Sequence, residues 1–467
     1  MDDFVNSWMS PVADALSGIV FYAPEIFGVR LPLIVLWLVL AGLFFTAYTG
    51  FLNVRGMRRG INLLLGRDSD PQAHGEVNAL RALSTAVAGT VGIGNIGGVA
   101  IAVSLGGPGV VFWLIVAGFL GMSTKMIEAV MGVAYRQEHE DGSVSGGPMH
   151  YLSSGLADLG LPKLGRVLAL FYAGVIVFAC LGIGNMFQSN QAFEQFTVLT
   201  GGAASEFGWL FGLVLAGLTG AVIVGGLRSI AEVTVRLVPF MAVLYCIGAV
   251  AVVLINADKL PGVFADIVAG AFTAQGAAGG ALGALIIGFQ RAAFSNEAGL
   301  GSAAIAHASV RTRHPATEGL VALLEPFIDT VIISTLTALV ILTTVYDPNV
   351  SGIAGIELTS RGFATMADWT VYLVALAAVL FAFSTMVAWS YYGLKGWTYL
   401  VGRGRGRERA FQAVFLAFVV IGCTLNLEAV LNISDALIFL VAVPNIIGLY
   451  LLAPRAKALL NEFLEKK

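Results

Sequence analysis

Charge is scarce in this 467-residue chain. Asp, Glu, Lys and Arg make up 12% of it, about half the share of an ordinary soluble protein. With 57% hydrophobic residues and a mean hydropathy of +0.85, too little polar surface remains to coat a water-soluble globule of this size. Cysteine is scarcer still. Cys180, Cys246 and Cys423 sit inside apolar stretches without CxxC or metal-ligand spacing, so they read as small buried hydrophobes. The five histidines (His74, His139, His150, His307 and His314) fall in loops or at a segment end, with no HxxxH pair. No Gly-x-Ser-x-Gly elbow is present either, so an integral-membrane enzyme finds few candidate groups. The net charge of −3 gives no basic excess for nucleic acid. The absence of a GxxxxGK[ST] loop excludes ATP-driven transport by this chain alone. Residues 1–30 carry Asp2 and Asp3, lack a basic n-region and are interrupted by Pro11 and Pro24. They predict a short surface helix, not a signal peptide.

What the chain has is long apolar runs. A hydrocarbon core of ~30 Å needs about 20 apolar residues in a helix. Eleven segments qualify: 31–52, 81–105, 109–135, 166–196, 208–226, 236–256, 280–307, 318–345, 370–395, 410–427 and 434–453. The runs are long and unalternated, which excludes a transmembrane barrel and predicts an all-α polytopic membrane protein. Placing the stretch 53–80 in the cytoplasm puts 21 of the 26 basic residues on that side and three (Arg30, Lys259, Arg361) outside. The N-terminus is then outside and the C-terminus cytoplasmic. The tract Arg403-Gly-Arg405-Gly-Arg407-Glu-Arg409 reads as a positive-inside anchor rather than an RNA or lipid patch.

Two spans resist continuous helix. The second contains Ala88-Gly-Thr-Val-Gly-Ile-Gly-Asn-Ile-Gly-Gly98, five glycines in eleven residues; the seventh contains Phe294-Ser-Asn-Glu-Ala-Gly-Leu-Gly-Ser302. Glycine costs about 1 kcal/mol in a helix interior, and Ser and Asn compete for backbone groups. Unwound backbone at that depth is tolerated only where it lines a cavity or meets a ligand. The GxGxxG match at Gly92–Gly97 lacks a preceding strand and is not a dinucleotide motif. Glycine-mediated packing alone does not explain Asn95, Asn296 and Glu297 at the same depth. The breaks lie five spans apart, so the units that start with them run in opposite directions through the membrane. This predicts an inverted repeat, 81–256 and 257–455, preceded by 1–80 with one extra span and followed by a tail, 456–467.

The motifs Ala82–Gly98, Phe294–Ser302, and Phe381-Ala-Phe-Ser-Thr-Met386 followed by Trp389-Ser-Tyr-Tyr-Gly393 together resemble the alanine/glycine:cation symporter family. The resemblance covers spans two to eleven. It implies a LeuT-type 5+5 inverted repeat and uptake of small neutral amino acids coupled to Na+, sometimes H+, by alternating access. No other cofactor and no obligate protein partner is expected; the location implied is the inner membrane of a prokaryote. Backbone amides at Ile93 and Gly94 suit a substrate carboxylate, with Thr90 beside them. Groups around Phe294, Ser295 and Glu297 suit the ammonium group. Glu297 reads equally well as a substrate contact or as a buried carboxylate paired with Arg291. Asn185 and Gln188, three apart, share a helix face, and Gln188 is the expected carboxylate donor. Trp389 would limit pocket volume.

The resemblance also implies an Na+ site of neutral oxygens from Ala88, Val91, Phe381, Ser384 and Thr385. A second would use Thr90, Asn95 and Ser295 with the substrate carboxylate. Lys125, Glu128, Glu325 and Asp329 read mainly as structural pairs, the last two joining Arg291. Two other mechanisms remain in competition: proton coupling through Glu297, and a channel, although no charged ring or repeated filter loop is visible.

Overall fold

The computed structural model describes residues 11, 14–26, 29–66, 73–273, 280–347 and 355–465. Of the basic residues used above for orientation, Arg67, Lys466 and Lys467 lie outside the described residues, as do Asp2 and Asp3. The described residues are mostly helical, with hairpins of two-residue strands at Glu25–Ile26/Val29–Arg30 and Gln137–Glu138/Val144–Ser145. The helices that matter here are α1 (Leu33–Tyr48), α2 (Ala79–Thr90), α3 (Gly97–Gly106), α4 (Gly109–Ala134) and α5 (Pro162–Leu199). They continue with α6 (Gly208–Ile223), α7 (Gly226–Ile255), α8 (Leu260–Phe272), α9 (Gly280–Asn296) and α10 (Ser302–His307). The last are α11 (Pro315–Thr344), α12 (Ile356–Ala364), α13 (Thr370–Val401), α14 (Arg405–Gly422) and α15 (Leu427–Glu465).

Among the described residues, seven helices are each long and apolar enough to cross a membrane, and the bent pair formed by α2 and the 93–106 segment qualifies jointly. The expected spans at 31–52, 280–307 and 410–427 coincide with α1, with α9 plus α10, and with α14, which are shorter or less apolar. Elsewhere helices outrun the expected limits. α7 starts ten residues before 236, and α15 carries Arg455 and Lys457 beyond the apolar run. Charge ends a hydrophobic window without ending a helix. The helices α8 and α12 fill connections that carry too few apolar residues to register as spans.

Large apolar side chains on α6, α7 and α8 face outward, among them Leu213, Leu218, Phe240, Ile247, Leu254 and Phe264. An exposed belt of this kind belongs against lipid tails. The chain is an integral membrane protein. Cys246 lies on that belt beside Ile247 and Val250, so its expected burial is not met; Cys180 and Cys423 are buried. Close packing on the other side relies on small residues. A Cβ on Gly109 of α4 would stand 2.2 Å from the backbone of Gly270 on α8.

Candidate substrate and ion site

Asn78 caps α2 by accepting from the Arg81 amide at 2.9 Å, and the helix then runs as far as Thr90. There the glycines take over: the backbone bends by 58° between α2 and the segment that continues as α3, through a single 3-10 turn at Ile93–Asn95. The freed amides are not left bare. Gly92 N–H donates to Asn95 Oδ1 at 2.9 Å, Ile93 N–H to Gln188 Oε1 at 3.0 Å, and Asn95 N–H to the Gly92 carbonyl at 3.1 Å. Each of these would bond four residues back in a continuous helix. The carbonyls of Ala88, Gly89 and Val91 are therefore released from helical bonding, and Gly89 accepts instead from Trp389 Nε1 at 3.3 Å.

The second break separates α9 from α10. Glu297 adopts a left-handed backbone with φ +58°, and Gly299 and Gly301 follow with φ +95° and +72°. A left-handed acidic residue, buried and followed by two left-handed glycines, marks a backbone held by its surroundings. Those surroundings are polar side chains, one of them a second carboxylate, Glu128. Glu297 accepts from Trp389 Nε1 at 2.8 Å and from the Ser302 hydroxyl. Gly301 N–H donates to Glu128 Oε1 at 3.0 Å, and Asn445 Nδ2 bridges that carboxylate to the Gly299 carbonyl at 2.8 and 2.7 Å. The Tyr172 hydroxyl holds the Leu300 carbonyl at 2.9 Å.

The two breaks meet. The Phe294 ring lies 3.5 Å from where a Cβ on Gly94 would stand, and packs edge-on against Phe187 with centroids 5.0 Å apart. Asn95 Nδ2 and the Ser295 hydroxyl both donate to Asp329, at 2.7 and 2.9 Å, and the Thr330 hydroxyl joins them at 2.7 Å. On α13, Thr385 points at the first break. Its Oγ1 sits 2.4 Å from where a Gly92 Cβ would stand, so only glycine fits there, and it has no hydrogen-bond partner among the described residues. Ser384 donates to the Phe381 carbonyl at 2.9 Å. One turn on, Trp389 is fully buried, its Cβ and Cγ 2.2 Å from a Cβ placed on Gly184.

Most of the expected site residues converge, but several do so differently. Ile93 and Gln188 were both expected to donate to a carboxylate; here they bond each other, and Gln188 Nε2 donates to the Ile183 carbonyl at 2.9 Å. Asn185, expected on the same face as Gln188, lies in a π-helical turn at Gly182–Met186 and donates to the Phe415 carbonyl on α14 at 2.6 Å. Thr90 turns back to the Ala86 and Val87 carbonyls at 3.4 and 3.3 Å, while Asn95 and Ser295 meet at Asp329. Arg291 does not pair with Glu297, Glu325 or Asp329. It forms an ion pair with Asp435 on α15, its guanidinium over the Phe294 ring with Cζ 5.1 Å from the centroid.

Neither acid joins Arg291: Glu325 contacts His307 and Lys125, whereas Asp329, in the π-helical stretch Phe327–Ser334 within α11, accepts from Asn95, Ser295 and Thr330. Sequence reasoning also missed Glu318 and His307, whose imidazole lies between Glu318 and Glu325. The signal was an acid and a histidine at the margins of two apolar runs.

A mid-membrane cradle of released carbonyls, hydroxyls and amides, closed by aromatic rings and containing few charges of its own, suits a small zwitterion and a hard monovalent cation. Comparisons with known proteins give the fold and the family. In structure, the chain resembles a LeuT-fold transporter, MhsT, solved in complex with L-phenylalanine: TM-score 0.57 at 12% identity, covering 83% of this chain and 98% of that one. In sequence it is 38% identical over 428 residues to the sodium/alanine symporter AgcS of Methanococcus maripaludis, covering 90% of this chain and 92% of that protein. It is 32% identical over 441 residues to the probable sodium/glutamine symporter GlnT of Bacillus subtilis, covering 93% and 88%. The model of the sodium:alanine symporter family matches residues 17–467, and this chain, a transporter rather than an enzyme, belongs to that family.

Proposed function

We propose that the protein is a secondary symporter that imports small neutral amino acids of the alanine and glycine class, coupled to Na+. The observation that carries this is the unpartnered Thr385 hydroxyl, buried against the first break where the Ala88 and Val91 carbonyls have lost their helical donors. With Ser384 and the Phe381 carbonyl, these atoms give a neutral oxygen set, which favours Na+ over a proton because nothing in it titrates. The second cation position involves Asn95 and Ser295, and Asp329 supplies its charge.

The substrate carboxylate competes with Gln188 for the Ile93 amide, and the Gln188 amide group then turns to the substrate. The ammonium group faces carbonyls around Phe294 and Ser295. Glu297 acts through Trp389, which it holds by a hydrogen bond. The Phe294 ring beside Gly94 and the buried Trp389 indole bound the site with bulky rings, which supports alanine or glycine over a glutamine-sized substrate.

The basic-residue bias supports eleven spans, with α1 as the extra helix ahead of two inverted five-span units, the N-terminus outside and the C-terminus in the cytoplasm of a prokaryotic inner membrane. Single cysteines at Arg407 and Asp347, in a cysteine-free background, should label from opposite sides; labelling from one side would reject the topology. Proteoliposomes given a sodium gradient and a panel of labelled amino acids test the transport reading. Alanine, glycine or serine should accumulate above the medium and exchange in counterflow. Equilibration without accumulation or counterflow would indicate a channel.

A further inference from the structure

The mechanism proposed above leaves one group of ionisable side chains unused. His307 ends α10 and is fully buried, with Nδ1 2.6 Å from Glu318 Oε1 and Nε2 against Glu325 Oε1. Both acids stand on α11. Lys125 of α4 lies 3.5 Å from the other oxygen of Glu325. The remaining groups facing this triad are Glu128 of α4, Arg136 just past its end, Glu297 in the break and Tyr392 of α13. Among the described residues, no group of three or more His, Cys, Asp or Glu has the arrangement of a metal site.

A neutral imidazole carries one N–H. Placed between two ionised carboxylates, it bonds one and turns a lone pair towards the other. Both short contacts are satisfied only if the triad holds an additional proton, on the imidazole or on one acid. Charge points the same way: even with His307 protonated, three cations, Lys125, Arg136 and His307, face four acids, Glu128, Glu297, Glu318 and Glu325. An excess of buried negative charge is expensive in a low-dielectric interior.

We propose that His307, Glu318 and Glu325 form a proton-binding clamp that pins α10 to α11 and must release its proton when the cytoplasmic half of the transporter opens. The half-helix α10 is fastened at both ends. At its start are the Ser302–Glu297 and Gly301–Glu128 bonds, and at its end the triad. Opening on that side separates α10 from α11, and each acid then faces water. The clamped state holds a proton that the separated state gives up. The clamp is therefore intact at low pH and loosens as pH rises through the titration of the triad. Acid in the cytoplasm would slow substrate release by this route. The opening role rests on the transport reading above; the clamp itself does not.

The test is hydrogen exchange of segment 302–310 in the full-length protein in lipid nanodiscs, from pH 6 to pH 9 and corrected for intrinsic exchange. In the wild type, protection should fall with rising pH, by at most about tenfold per pH unit for one released proton. In His307→Gln it should show no pH dependence. A wild type without a slope, or a variant with the same slope, overturns the clamp. Should His307→Gln not fold, Glu318→Gln serves: removing one acid should move the transition to lower pH, and an unmoved transition overturns the proposal. In proteoliposomes, sodium-driven uptake should rise with internal pH in the wild type and not in the variant. A flat wild-type profile overturns the link to opening, whereas no sodium-driven uptake at any pH would reject the transport reading and leave the exchange result to decide the clamp.

Discussion

The two breaks look alike in sequence, each a glycine-rich interruption of an apolar run, yet they are stabilised by different chemistry. At Ala88–Gly98 the freed amides are met by neutral oxygens from Gln188 and from Asn95, whose own amide group is anchored on Asp329, and a neutral hydroxyl, Thr385, waits unpartnered beside them. At Phe294–Ser302 the backbone is held by Glu128 and Glu297, with Asp329 taking the Ser295 hydroxyl and Lys125, Glu325 and His307 behind. Neutral groups can exchange partners with a ligand at small cost. Ionised groups in a low-dielectric interior cannot be left alone, so they hold structure until charge or proton inventory changes. The first break is built to bind, and the second to hold and release.

Substitutions should separate the two. The largest effect is expected from Gly92→Ala, since the new methyl would stand 2.4 Å from Thr385 Oγ1 and 3.0 Å from Gln188 Oε1. Sodium-dependent alanine binding should be lost while the protein stays folded, at an overpacking cost of about 1–3 kcal/mol. Isotherms and melting curves would check both halves of that statement. Thr385→Ala comes next. Loss of one ion ligand should raise the Na+ concentration for half-maximal uptake by about tenfold, with substrate affinity following through reciprocal linkage.

At the second break Glu297→Gln keeps an acceptor for Trp389 Nε1 and removes the charge, whereas Glu297→Ala removes both. If Glu297 acts by holding Trp389, alanine affinity should stay within about threefold in the first and fall by about tenfold in the second, where Trp389 Nε1 keeps only its longer 3.3 Å bond to the Gly89 carbonyl. Equal losses would restore Glu297 as a direct ammonium contact. Smallest of all, Arg403→Ala breaks an exposed pair with Asp141 at 2.8 Å; stability should change by less than about 1 kcal/mol, with uptake unaltered.

Long apolar runs made the helices readable, because a ~20-residue stretch in lipid has few alternatives to helix. The glycine clusters made both breaks readable for the same reason. Phase was harder. The π-helical turns at Gly182–Met186 and Phe327–Ser334 were not anticipated, and three- or four-residue spacing did not give the partners of Asn185 or Asp329. Partners distant in sequence were not readable either. Arg291 found Asp435 and Lys125 found Glu325 across the bundle, and a single sequence offers nothing to choose between such pairs. His307 was set aside because it closes a span, although a histidine facing two buried acids is the group in this chain best suited to respond to pH.

The most direct measurement is equilibrium binding of labelled alanine to the purified protein across a range of Na+ concentrations at constant ionic strength, with wild type and Thr385→Ala side by side. Wild-type affinity should rise steeply with Na+, and the variant should need about ten times more Na+ for the same affinity. Alanine binding that is indifferent to Na+, or identical in the two proteins, would contradict the assignment of the first break as the place where ion and substrate meet.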